Sequence, residues 1–355
     1  MTDTASTAVR GPLLEGALRD AIGADAAAAW ERPRHPYDPT VRVLRDGERP
    51  IAAALTTRRP STAATKIVDL WAIDDAAAAT LLDELIAASE ARGDAALKWE
   101  LPGHAEAPEP ARRRGFIDLR APHPSAPGTI GTRGLVHWHR AFPHVEPSYY
   151  GQTTLFTCGA VTGLLAAEAV GAEGFVADRA TDHDLELAFW RQASNYPAIE
   201  PIGLAVVMRE TLPDSIGVEV FLDSEGPVLI EGYEGFERAF RAELQGDSRR
   251  QAGELGVTVS GERLSIDEIG RRVASGRLAL LLIDEQPMHG ETGPHWVLAH
   301  AFQDGVFLIQ DPWISSDDGE TWVDTHDLPV AASDLDRMVA WGEAGYRGVV
   351  FVTRR

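Results

Sequence analysis

The stretch YYGQTTLFTCGAVTGLLAAEAVG, residues 149–171, changes texture at Cys158, the only cysteine in the 355 residues. Before it the chain is polar and without a period, so a loop is predicted. After it Leu164, Leu165, Ala169 and Val170 recur at helical spacing and Gly171 supplies a stop, which predicts a helix beginning at or near Cys158. A thiol at a helix N-terminus sits at the positive end of the helix dipole, which favours thiolate over thiol. Gln152, six positions upstream, lies on the approach to that helix. Its side-chain amide, with the Cys158 backbone N–H, can serve as an oxyanion donor.

A lone cysteine is more often a small buried hydrophobe than a nucleophile, so the reading needs partners. Residues 293–299, GPHWVLA, read as a strand entered from a tight turn. Residues 306–312, VFLIQDP, read as the next strand, with Asp304 and Gly305 forming the hairpin turn between them. Antiparallel pairing about that turn brings His295 and Asp311 to one end of the ribbon. An aspartate there holds the imidazole tautomer and stabilises its protonated form. Residues 276–283 read as a buried strand leading toward His295, and residues 231–255 as a surface helix of mixed charge. His137 and His139 have strand spacing on one face and His144 follows, but no further ligand accompanies them, so no metal site is expected. His300 and His326 are read as structural, and Trp190, Trp296, Trp313 and Trp322 as core or cleft wall.

Composition sets the frame. A chain of 355 residues, 44% hydrophobic and 25% charged, is long enough to predict two domains with ordinary cores. The net charge of −21 disfavours nucleic acid or an anionic membrane as partner. No basic start followed by an apolar run and no stretch near 18 uncharged apolar residues occurs, so neither signal peptide nor membrane span is expected and a cytoplasmic location is. One cysteine forms no intramolecular disulfide, so nothing points to an oxidising compartment.

Residues 1–122 read as a first domain. Strands are predicted at 41–44, 50–57 and 66–72. A long helix at 76–91 follows the capping residues Asp74 and Asp75 and ends before Gly93; a strand at 96–101, a short helix around 111–114 and a strand at 116–119 complete the unit. Residues 123–144 read as a Pro/Gly/Ser linker, and 145–355 as a second domain.

The element order of the first domain, with Arg114-Gly115-Phe116 entering its last strands, resembles the GNAT acetyltransferase fold. Active members of that superfamily hold the coenzyme A pyrophosphate on a turn of the type R/Q-x-x-G-x-G/A ahead of the long helix. Here the turn reads IDDAAA (73–78), with two carboxylates where an anion docks. The expectation is a degenerate acetyltransferase-like domain, with no cofactor.

Residues 145–315 resemble the bacteriocin-leader-processing branch of papain-like cysteine peptidases, more closely its bacterial relatives in which such a domain follows an acetyltransferase-like one. The matching motifs are Gln152 spaced six residues before Cys158-Gly159, Pro294-His295-Trp296-Val297, and Asp311-Pro312. Residues 186–191 and 201–205 echo the family's linking segment. Two departures stand out: Ala160 where proline commonly follows Cys-Gly, and SNYPA (194–198) in place of a glycine- and cysteine-rich patch.

The resemblance implies an α+β fold in which a GNAT-like mixed α/β domain precedes a papain-like domain, with Cys158, His295, Asp311 and Gln152 catalytic. It further implies acyl transfer through a thioester on a peptide or small-protein substrate. Water as acceptor makes a peptidase or amidohydrolase and an amine makes a ligase or cyclase. A peptide-binding protein without turnover is the remaining class. Oligomeric state is not legible.

Overall fold

The computed structural model describes residues 4–10, 14–194 and 198–354. Its chain divides into two compact units. Unit 1 takes the chain up to Ala121, then Ile130–Pro143 and Ser315–Asp324. Unit 2 takes Pro122–Thr129, His144–Ile314 and the chain from Thr325.

Unit 1 is built from β1 (Thr4–Arg10), α1 (Gly16–Ile22), α2 (Ala24–Trp30), β2 (Thr40–Asp46), β3 (Arg49–Thr57), β4 (Ala64–Ala72), α3 (Asp75–Arg92), β5 (Ala96–Pro102), α4 (Glu109–Arg112), β6 (Ile117–Asp118) and β7 (Thr132–Trp138). The strands form one sheet in the order β1-β2-β3-β4-β5-β7-β6. Every neighbour in it is antiparallel except β4 and β5. The long helix follows its caps as expected. Asp74 accepts the Ala77 N–H at 2.8 Å, and Gly93 ends the helix in the left-handed conformation with φ 86°. Ala77, Leu81, Leu82 and Leu85 of that helix join Leu44, Ile67 and Leu97 of the sheet in one core.

Asp74 thus fills the N-terminus of α3 with a carboxylate of its own chain. Beside it, a cavity of about 660 Å³ is edged by Asp69, Asp74, Asp75 and Glu100.

Two findings in unit 1 differ from the sequence reading. Residues 123–144, read as a linker, contain β7, which pairs along the whole of β5 and buries Leu135 and Val136. Its strand signal is short and follows a Pro/Gly-rich run that dominates the local composition. Residues 315–324, assigned by sequence to the second domain, belong to unit 1. Both lysines of the chain hold that segment: Lys66 bonds Glu100 at 2.8 Å and also Asp324, and Lys98 donates to the Val323 carbonyl at 2.9 Å. Arg59 grips Glu320 with two hydrogen bonds, at 2.8 and 2.7 Å, both side chains buried.

Unit 2 contains α5 (Cys158–Ala169), α6 (Arg179–Ala193), α7 (Pro201–Thr211), β8 (Ile216–Leu222), α8 (Gly235–Glu254), β9 (Thr258–Ser260), α9 (Ile266–Ala274), β10 (Leu278–Asp284), α10 (Gln286–His289), β11 (Pro294–Gln303) and β12 (Val306–Gln310). After the excursion that ends in the short helix α11 (Trp322–Thr325) come β13 (Leu328–Ala331), α12 (Ala332–Met338) and β14 (Gly348–Arg354). The sheet order is β13-β12-β11-β10-β14-β8-β9.

The central strands are apolar on both faces, which is why β10 reads as an unbroken hydrophobic run. Leu280 and Leu282 face a core shared with α5 and α7, while Ala279, Leu281 and Ile283 face one shared with α9 and α12. Among the described residues no helix is long and apolar enough to cross a membrane.

Candidate active site

Cys158 is the first residue of α5, with Thr157 at the N-cap and no acidic residue in the first turn. Its thiol is free and only 8% exposed. Helix α5 is buried on all sides at its start, wedged between β11 and helices α6 and α7. The fit is close. A Cβ on Gly159 would come within 3.0 Å of both Ile199 Cδ1 and Trp296 Cδ1, and Trp296 Nε1 donates to the Ile199 carbonyl at 3.0 Å. Gly159→Ala is therefore expected to displace the start of α5 and destabilise the protein by about 1–3 kcal/mol. Denaturant unfolding would check it, and an unchanged midpoint would contradict this packing.

His295 lies near the start of β11, and Asp311 follows the last residue of β12. The hairpin turn is Asp304-Gly305, both with positive φ, at 49° and 78°. One register irregularity between Ala299 and Ala301 shifts the pairing, so that Leu298 meets Gln310 and Asp311 lies just past the ladder. His295 Nε2 bonds Asp311 Oδ1 at 2.7 Å. Asp311 is thus bonded through Nε2, and Cys158 is near enough to the ring to act on its titration. Burial acts to lower the His295 pKa. The Asp311 charge and hydrogen bond, helped by Cys158, more than offset it and hold the imidazole well above its ordinary range. The arrangement favours the imidazolium form of His295 beside the Asp311 carboxylate.

Asp311 is fully buried and held from several directions. Its Oδ1 also accepts the Trp313 N–H at 2.9 Å, its backbone N–H donates to Thr325 O at 3.1 Å, and Tyr149 Oη donates to its carbonyl at 2.9 Å. His289, on α10, stands with Nε2 3.6 Å from Asp311 Oδ2, its ring nearly perpendicular to that of His295. Sequence reasoning missed His289. It lies in a four-residue helix between Pro287 and Gly290 with no period to mark it, and only the fold brings it to the carboxylate.

Gln152 is buried near the same strand end through its backbone, whose N–H donates to Pro312 O at 2.8 Å. Its Nε2 donates to Thr154 O at 2.7 Å. The amide nitrogen carries a second hydrogen, and Cys158, at the first helical position, has a backbone N–H without an intrahelical acceptor. The loop between these donors is organised by Glu186 of α6. This carboxylate is fully buried and accepts Tyr150 Oη at 3.0 Å, Thr153 N at 2.9 Å, Thr153 Oγ1 at 2.5 Å and Thr157 Oγ1. Burial, then the Glu186 carboxylate, push the Tyr150 phenol upward, so it stays a neutral donor.

Of the two departures noted in the sequence, Ala160 is fully buried in the first turn of α5. Residues 195–197 of the other lie outside the described residues. His137 and His139 do share a face, ring centroids 5.3 Å apart, but each bonds a protein partner, the Arg114 carbonyl at 2.7 Å and Ser89 Oγ at 2.9 Å. His144 lies in the other unit.

Comparison with known proteins bears on both units. A family model described as "Peptidase_C39 like family" matches residues 147–353. No curated protein matches the chain. Among solved structures, the N-terminal region is similar to acetyltransferases. The ribosomal-protein-S18-alanine N-acetyltransferase from Escherichia coli is 16% identical, covering 37% of this chain and 91% of that one with a TM-score of 0.26. An acetyltransferase from Bacillus subtilis, in complex with CoA, is 9% identical, covering 38% and 100% with a TM-score of 0.30. Aminoglycoside 6'-acetyltransferase type Ii is 12% identical, covering 39% and 99% with a TM-score of 0.31.

Proposed function

The chain belongs to the Peptidase_C39-like family, and from that premise we propose that it is a cysteine peptidase or amidohydrolase acting on a peptide through Cys158, His295 and Asp311. The observation that carries the reading is the buried imidazole of His295, with Nε2 bonded at 2.7 Å to Asp311 and with Cys158 near enough to help Asp311 raise its pKa.

The chemistry follows from the positions. The Cys158 thiolate attacks the substrate carbonyl, and the oxyanion is received by the Gln152 amide and the Cys158 backbone N–H. His295 passes its proton to the leaving amine as the C–N bond breaks, and a thioester remains on Cys158. Water then attacks the thioester, His295 takes its proton, and the acid product leaves with thiolate and imidazolium restored. Asp311 keeps the ring in the tautomer that presents Nδ1 to the sulfur.

The test is cleavage of a diverse peptide mixture followed by mass spectrometry, with hydroxylamine added to trap the acyl group. The reading predicts products, and a hydroxamate, from the native chain and none from Cys158→Ala. Equal cleavage by both, or none by the native chain, would overturn it. Gln152→Ala is expected to lower kcat about 10²–10³-fold, the effect of one lost oxyanion donor. Alkylation of Cys158 should be little changed in that variant, which separates oxyanion binding from nucleophile activation.

A further inference from the structure

One buried imidazole beside the candidate site has no part in the proposed chemistry. His289 ends α10, in the connection that carries the chain from β10 to β11. That connection is closed at its base. Asp284 pairs with Pro294 and Ile283 with His295 in the ladder, and the Glu285 N–H donates to the Gly293 carbonyl at 3.1 Å. Asp284 Oδ1 accepts the Gln286 N–H at 3.0 Å, and the His289 N–H donates to Glu285 O at 2.9 Å. Gly290 stops the turn in the left-handed conformation, and Met288 anchors it in the core shared with α9 and α12. Backbone bonds and core packing thus fix the position from which His289 extends, and its side chain is only 8% exposed.

His289 Nε2 lies 3.6 Å from Asp311 Oδ2. The other carboxylate oxygen, Oδ1, takes His295 Nε2 at 2.7 Å and the Trp313 N–H at 2.9 Å. Two imidazoles therefore stand at different oxygens of one carboxylate, their ring centroids 6.5 Å apart and their planes at 85°. At 3.6 Å the His289 contact is wider than a hydrogen bond, and a shift of about 0.7 Å brings it to the usual N–H···O length. Contacts between catalytic groups are often long in the substrate-free state and tighten in the complex.

We propose that His289 is a positioning residue of the catalytic set, presenting an Nε2–H to the second oxygen of Asp311 so that the carboxylate is held, and its charge divided, between two imidazoles. The inference rests on the reading of Cys158, His295 and Asp311 as one set. A donor at Oδ2, neutral or charged, draws on the Asp311 charge and weakens its grip on the His295 imidazolium. His295 then passes its proton more readily to the leaving amine. Loss of the donor has the opposite sign: the imidazolium persists to higher pH and proton delivery slows. His295 is faced by Asp311 at the end of β12, Cys158 at the head of α5 and His289 on α10, while Asp284 and Glu285 flank α10.

The experiment compares the native full chain with His289→Phe, which keeps a ring but no donor, and His289→Gln, whose amide N–H can take the place of Nε2–H. The His295 imidazole is followed by NMR across pH, alongside cleavage of the diverse peptide mixture and the melting temperature. In His289→Phe the His295 titration is expected to move to higher pH by about half a unit or more. Turnover should fall about tenfold, the scale of one hydrogen bond to a charged group. His289→Ala, which removes the donor without adding bulk, is expected to behave as His289→Phe does. His289→Gln should keep the native titration and most of the turnover. An unmoved His295 titration in both His289→Phe and His289→Ala would overturn the proposal, even with turnover or melting temperature lowered. So would equal losses in His289→Gln and His289→Phe. Neither result touches the reading of Cys158 as nucleophile, which fails separately if Cys158→Ala cleaves as the native chain does.

Discussion

His295→Ala is expected to lower kcat on a cleaved peptide by about 10⁴–10⁶-fold, the range seen when the base of a nucleophile–histidine–carboxylate set is removed. The size follows from the two tasks proposed for the ring, as counter-ion to a thiolate and as the proton donor to the leaving amine. No neighbouring group covers both. His289 stands with Nε2 3.6 Å from the far oxygen of Asp311. Burial opposes the charge on His295, but Asp311 and Cys158 raise its pKa above the unfolded value near 6.5. The pair therefore contributes stability below about pH 6.5, and that contribution is lost as pH rises through the raised folded value. Comparing unfolding of the native chain and His295→Ala across pH reads it directly. A residual activity within tenfold of native would contradict the assigned role.

Glu186→Ala is expected to have the largest effect on stability. Four donors from Tyr150, Thr153 and Thr157 end on this one buried carboxylate. Truncation takes this acceptor from Tyr150 Oη and the Thr153 N–H, while Thr153 Oγ1 keeps His183 Nδ1 and Thr157 Oγ1 keeps Thr154, at about 1–3 kcal/mol for each group left unpaired that water cannot reach. A loss of about 3–5 kcal/mol is expected after relaxation, which lowers the melting temperature by roughly 10 °C for a unit of this size. Because the same groups shape the loop from Gln152 to Cys158, surviving folded protein should also turn over slowly. A loss under about 1 kcal/mol in thermal or urea unfolding would contradict Glu186 as the organiser of that loop.

Much of this site was legible in the sequence because its parts rest on local rules. The change of period at Cys158 marks the start of α5, and Asp304-Gly305 marks the hairpin that joins β11 to β12. What local rules do not carry is register. The shift at His300 decides that Asp311 falls just past the ladder, and nothing in the run from Val297 to Ala301 announces an extra residue. Glu186 and His289 were illegible as site residues for a related reason, since long-range folding alone brings each to its partners. In unit 1 the capping aspartate and the leucines of α3 were read from pattern. Strand β7 was hidden by the Pro/Gly-rich run before it. The membership of 315–324 in unit 1 depends on Lys66, Lys98 and Arg59, buried cations whose partners lie more than 200 residues away in sequence.

The central claim, that Cys158 is a nucleophile held ready by His295, is tested most directly by the rate of Cys158 alkylation across pH in the native chain and in His295→Ala. Since this is the only cysteine, modification reports on it alone. An ordinary thiol, with a pKa near 8.5, reacts roughly three hundred times more slowly at pH 6 than as full thiolate. The account predicts that the native chain keeps most of its alkylation rate at pH 6. His295→Ala should fall about 10–100-fold there and converge with the native chain above pH 9. Identical pH profiles for the two proteins, both rising like a free thiol, would contradict it.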